Sequence, residues 1–146
     1  MHRIRNTLLL AAAIAGCSSP VPPTAPDAMA PEPEAVIPMG DGISGRFVRT
    51  GYATSGSVTL TRANGIGRLV FSDDFQTTQL PGPVVYLNTR TNPNVGMPLR
   101  IGALKSISGR QEYVFSLPPG VTYLYVLLWC DPFNVPIAEA RLPVTP

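Results

Sequence analysis

The chain has one histidine in 146 residues, and it is His2. That histidine lies in a basic-then-apolar opening stretch with the form of an export signal that is removed, so the mature chain has none. A chain without histidine has no Ser-His-Asp or Cys-His relay. It also has no histidine-ligated zinc or haem and no copper site built on two histidines and a cysteine. Cysteine is nearly as scarce, with Cys17 and Cys130 alone. Charged residues make up 14% of the sequence, and its basic residues are scattered among short apolar runs without forming a stripe, which argues against nucleic acid as a partner. Eight consecutive residues, Tyr123 to Cys130, carry no charge, no Gly and no Pro, in the longest apolar run beyond the leader. That length suits one strand buried on both faces and is too short for a membrane span.

The first residues carry an address. Arg3 and Arg5 precede the apolar run Thr7 to Ala15, and Ile14-Ala15-Gly16-Cys17 follows. This order resembles the signal and lipobox of bacterial lipoproteins. The resemblance implies a signal over residues 1–16, diacylation of Cys17 on sulfur, and anchoring of the mature chain to a membrane. Ser18 after the cysteine implies the outer membrane, periplasmic face, in a cell with two membranes. Ordinary secretory cleavage after Ala13-Ile14-Ala15 is the competing reading, and it leaves a soluble chain with a free Cys17. Without Arg3 and Arg5 the chain carries nine basic and nine acidic residues, so it is near neutral.

Residues 17–38 read as the lipidated cysteine and a tether. Seven prolines lie between Ser18 and Pro38, with no aromatic residue among them. Such a composition buries too little apolar surface to offset ordering entropy, so an extended linker is expected. At about 3.1 Å per residue it reaches roughly 60 Å from the lipid.

Residues 39–146 suffice for one hydrophobic core. Helix signals are poor, and short alternating runs are separated by Gly, Pro, Asn and Asp. The pattern predicts an all-β fold, an antiparallel sandwich or barrel of about seven to nine short strands. Ser57 to Arg62 alternates Val58 and Leu60 inward, Asn64-Gly65 supplies the positive φ of a hairpin, and Arg68 to Asp73 returns with Leu69 and Phe71 aligned. Val84 to Leu87, Leu99 to Leu104 and Gln111 to Leu117 follow. In the Tyr123 strand, Leu124, Val126, Leu128 and Cys130 share one face, and Tyr123, Tyr125, Leu127 and Trp129 share the other. Val135 to Leu142 is expected to pair beside it across Asp131-Pro132-Phe133-Asn134.

These segments together resemble the DM13 domain. The likeness runs through Gly56-x-Val58-x-Leu60, Leu69-x-Phe71-x-x-Asp74-Phe75, Gly82-Pro83-x-x-Tyr86-Leu87, Ile101-Gly102-x-Leu104-Lys105, Gly109-x-Gln111-x-Tyr113 and Val126-x-x-Trp129-Cys130-x-x-Phe133-x-Val135. It implies a β-rich extracytoplasmic module whose cysteine takes part in redox or electron transfer, and it carries that role to Cys130 alone. The sequence departs at Val84, where members of the family often have an acidic residue.

Cys130 is therefore the candidate redox sulfur, with Trp129 and Asp131 beside it as supporting residues. The alternative makes Cys130 a small buried hydrophobe, consistent with the three aliphatic residues on its face. Activation of a thiol needs a nearby cation, and the nearest charge in sequence is the carboxylate of Asp131. Lys105 and Arg110 are the candidate cations from other strands. Trp129 and Tyr125 read as packing, or as an electron-relay or ligand-stacking face. Asp73 and Asp74 point to opposite sides of any strand, so a solvated turn is the default, and Gly65-x-Gly67 is too short to be a phosphate loop. No catalytic residue, metal or cofactor is assigned. Two functions remain: a lipid-anchored envelope protein that assists redox or electron transfer with one cysteine, or a non-catalytic binding or scaffold module in which Cys130 only packs. Both leave the membrane and an envelope protein as partners.

Overall fold

The computed structural model describes residues 42–144. The leader, Cys17 and the tether lie outside the described residues. In chain order the strands are β1 (Ile43–Arg49), β2 (Thr54–Ser55), β3 (Ser57–Ala63), β4 (Ile66–Phe71), β5 (Gln76–Thr77), β6 (Pro83–Asn88), β7 (Leu99–Ala103), β8 (Gln111–Ser116), β9 (Tyr125–Cys130) and β10 (Val135–Arg141). β2 and β5 pair with each other as a small ribbon. The other eight form one antiparallel sheet in the order β7-β6-β9-β10-β1-β3-β4-β8. The all-β antiparallel expectation is met. Among the described residues the one helical turn is the 3-10 segment Asp131–Phe133.

β1 joins the two halves of this sheet. Its first residues, Ile43 to Arg46, pair with β3, and its last, Phe47 to Arg49, pair with β10. The sheet thus folds back on itself and almost closes. Its two end strands, β7 and β8, are bridged by side chains in place of a ladder. The Lys105 amide donates to Tyr113 Oη at 3.0 Å, and the Ser106 amide donates to Gln111 Oε1 at 3.2 Å. The Lys105 ammonium lies 4.7 Å from the centroid of the Tyr113 ring. Side-chain bridging covers strand edges that would otherwise offer unpaired backbone groups.

The core lies inside the folded sheet. Alternation places Val58, Leu60, Leu69, Phe71, Val85, Leu87, Val126 and Leu128 there, all fully buried. Phe71 and Phe75 meet edge to face with centroids 4.8 Å apart, and Phe47 and Tyr113 complete the aromatic cluster. Burying such rings contributes their area together with a geometric preference of about 0.5–1.5 kcal/mol per pair. The Asn64-Gly65 hairpin forms as the sequence predicts, with φ of 49° and 76° and Leu60 opposite Leu69.

Two details differ from the alternation. Tyr123 precedes β9 and is buried all the same. β10 contains a bulge between Pro136 and Ala138, which puts Ile137 in the core along with Ala138, Ala140 and Leu142. Proline cannot donate to the ladder, and a bulge at that point accommodates the missing N–H.

Candidate functional site

β9 delivers the site. Its central and last residues, Val126 to Cys130, are all buried, so the strand is covered on both faces. Cys130 faces inward and is 1% exposed, packed in the same cluster as Leu128 and Val126. It is the free thiol of the described residues. Its sulfur donates to the carbonyl of Pro81 at 3.0 Å. Pro81 and Gly82 are exposed and form the turn that leads into β6, whose Pro83 lies opposite Cys130.

Gly82 fixes how that turn sits. Its φ is +61°, and a Cβ there would lie 2.8 Å from the Pro132 ring. A residue with a side chain is thus excluded by both conformation and contact. The turn rests on the 3-10 segment and closes over the thiol.

Asp131 follows Cys130 and serves the opposite face. Both of its carboxylate oxygens accept from the Tyr86 hydroxyl, at 2.8 and 3.0 Å, and Arg100 Nε donates to it at 3.3 Å. Tyr86 and Arg100 are cross-strand neighbours on β6 and β7, so the sheet itself presents both to the carboxylate. Burial raises the Tyr86 phenol above the ordinary tyrosine range, and the hydrogen bond and charge of Asp131 add to it, with Arg100 opposing. Of the cations proposed from sequence, Lys105 instead covers Tyr113 and donates to the backbone carbonyl of Glu112. Arg110 acts through its charge on Glu112, which Arg68 holds below the usual carboxylate range by a bidentate pair of hydrogen bonds, each 2.7 Å. The cation that reaches the end of β9 is Arg100, paired to Asp131.

Trp129 points outward and is 6% exposed. Its Nε1 donates to Asn134 Oδ1 at 3.1 Å, and the same oxygen accepts from Asn94 Nδ2 at 2.8 Å. Asn134 holds this position in the left-handed region, φ 51°, a conformation that asparagine tolerates better than most residues. Asn94 belongs to the connection between β6 and β7, which is tied down from its other side by Asn88. That side chain is fully buried. It donates to the carbonyls of Asn92 and Val95 and accepts from the amides of Thr89 and Met97.

The sequence reading set Cys130 and Trp129 on opposite faces and named Trp129 and Asp131 as supporting residues; in the structure the thiol faces the core and the other two turn to the outer face. That reading left out the partners described above. The one sequence signal for any of these was Asn134 just after a Pro-containing turn, a usual place for a left-handed residue. Asp73 and Asp74 are exposed in a turn. Among the described residues no group of His, Cys, Asp or Glu is arranged to hold a metal.

Comparison with curated proteins and with solved structures gives no match. Residues 46–142, spanning nearly the whole β domain from β1 to the end of β10, match the family described as electron transfer DM13, and the chain belongs to that family.

Proposed function

We propose that this chain is a lipid-anchored protein of the bacterial cell envelope whose DM13 domain assists electron transfer through Cys130. The family supports a redox-related role. The observation that carries the reading to Cys130 is its cover: one exposed turn, Pro81-Gly82, accepts the thiol hydrogen bond. That role requires that this turn can be displaced to admit a partner to the sulfur while the β9 ladder stays intact.

The chemistry is thiol–disulfide exchange. Cys130 gives up its proton and attacks one sulfur of a disulfide on an envelope partner; the new S–S bond forms as the old one breaks, and the partner's second sulfur leaves as thiolate. With Cys17 acylated, the mature chain has no second thiol to resolve the product, so the partner's own thiol must release Cys130. Anchoring rests on Ile14-Ala15-Gly16-Cys17 behind the basic and apolar leader. Two or more acyl chains give stable attachment where one is marginal. Outer-membrane placement on the periplasmic face rests on Ser18 and applies to a two-membrane cell.

The test is to incubate the folded protein with oxidised glutathione and weigh it. A glutathione adduct on Cys130 of the native chain is expected; an adduct formed only after unfolding contradicts the reading. Cys17→Ala should abolish fatty-acid labelling and free the protein from membranes, and retention in the membrane fraction counts against the anchor.

The 1% exposure of Cys130 favours a second reading. In it the domain is a non-catalytic binding or scaffold module and the cysteine is core packing. A Cys130→Ala variant that keeps its partners and its effect on envelope redox state selects that reading.

A further inference from the structure

A groove of about 430 Å³ lies on the outer face of the sheet, away from Cys130 and its turn. β9 and β10 bring Trp129 and Glu139 to it, the connection between β6 and β7 brings Asn92 and Asn94, and Thr50 and Asn134 come from the turns that flank β1 and β10. Its size falls within the range of pockets that bind small ligands.

The hydrogen bonds that build the wall also decide what it offers. Asn134 Oδ1 is occupied by Trp129 and Asn94, so the amide end of Asn134 is its free group. Asn92 Oδ1 accepts from the backbone amide and Nδ2 of Asn94, which leaves the Asn92 amide free in the same way. Asn94 has both donors engaged and keeps its oxygen. Glu139 has no hydrogen-bond or ion-pair partner among the described residues, and burial raises its carboxyl above the usual range. The groove therefore presents two amide donors, an amide oxygen and a carboxyl group.

No Lys or Arg lines it, so an anion would find no countercharge. An apolar ligand would strand these polar groups at a cost of about 1–3 kcal/mol each. A ring bearing several hydroxyls meets both the donors and the acceptors of this wall, since each hydroxyl donates and accepts. We propose that this groove is a binding site for a neutral saccharide, with Glu139, Asn92 and Asn134 as hydrogen-bonding residues and the edge of Trp129 in the wall behind them. The proposal is independent of any redox role of Cys130.

Trp129 is the single tryptophan of the sequence, so selectively excited tryptophan fluorescence reports on the wall of this groove. Titrating the full chain with cellobiose, maltose and chitobiose should give a saturable fluorescence change with at least one of them. Glu139→Gln should weaken that binding about tenfold or more, as expected for loss of a hydrogen bond to a charged group. Thermal unfolding and the unliganded Trp129 spectrum identify the variant as folded, and Asn92→Ala provides a second variant with the same expected loss. Absence of a saturable response to all three disaccharides would overturn the proposal, as would equal affinity in both variants. A response to putrescine alone would also overturn it, by marking a cation site on Glu139.

Discussion

Cys130 and Trp129 are neighbours in sequence on opposite faces of β9, and the two faces are stabilised by different means. The inner face is dry: Leu128, Cys130, Phe71 and Phe75 lie in one apolar cluster, and the thiol makes one hydrogen bond, to Pro81. On the outer face polar partners orient two of the large side chains and the covering loop. Trp129 is held by Asn134, Tyr86 by Asp131, and the covering loop by Asn88. Packing decides the inner face and hydrogen-bond satisfaction decides the outer one. The residue implied by the family is on the packed face, while the groups free to meet a ligand are on the other.

The largest test of this contrast is on the inner side. Phe71→Ala removes a fully buried ring that touches three other aromatics. It should cost about 3–5 kcal/mol in chemical denaturation. A loss below about 1 kcal/mol would mean that the inner face is not the tightly packed region described.

An intermediate effect is expected on the outer side. Asn88→Ala leaves the Val95 carbonyl and the Thr89 amide without their partner, while the Asn92 carbonyl keeps the Val95 amide and the Met97 amide keeps Thr89 Oγ1. It should cost about 1–3 kcal/mol and speed hydrogen exchange at Thr89 and Met97. The amides of β4 should keep their protection. Loss of protection throughout the sheet would show that the loop and the core are one cooperative unit.

The smallest effect concerns two glutamates. The folded pKa of Glu139 is raised by burial, so the folded state holds its proton more tightly and stability falls as pH rises from the ordinary carboxylate range through the raised pKa. Glu139→Gln should therefore be more stable than the parent at neutral pH, with the gain vanishing in acid. Glu112 has the opposite sign. Arg68 lowers its pKa, so its contribution is present above the ordinary range and is lost as pH falls through the lowered value. Thermal melts of Glu139→Gln and Glu112→Gln across pH should thus diverge in opposite directions, and parallel curves would contradict both assignments.

The inner face was readable from sequence because alternation is a local signal. Val58 with Leu60, Leu69 with Phe71, and Tyr113 with Phe115 declare their side two residues apart, and Asn64-Gly65 declares its turn. The outer face depends on contacts between distant segments. Nothing near Asp131 in sequence indicates that Tyr86 and Arg100, cross-strand neighbours on β6 and β7, converge on it. Lys105 and Arg110 were the cations read from sequence and Arg100 was passed over; the structure sets those two in the connection between β7 and β8 and places Arg100 opposite Tyr86. The bulge at Pro136 and the short β2–β5 ribbon were hidden for a related reason: two-residue pairings and one-residue insertions leave no periodicity to detect.

The reach of reagents to Cys130 is the most direct test of the redox assignment. Its alkylation rate in the folded protein should be measured from zero to low denaturant and compared with global unfolding. Opening of the Pro81-Gly82 turn alone predicts a rate faster than global unfolding and nearly independent of denaturant, because little surface is exposed. Gly82→Ala, which crowds Pro132, should speed it further. A rate that rises with denaturant in step with global unfolding, and is unchanged by Gly82→Ala, would contradict the account and leave Cys130 as packing.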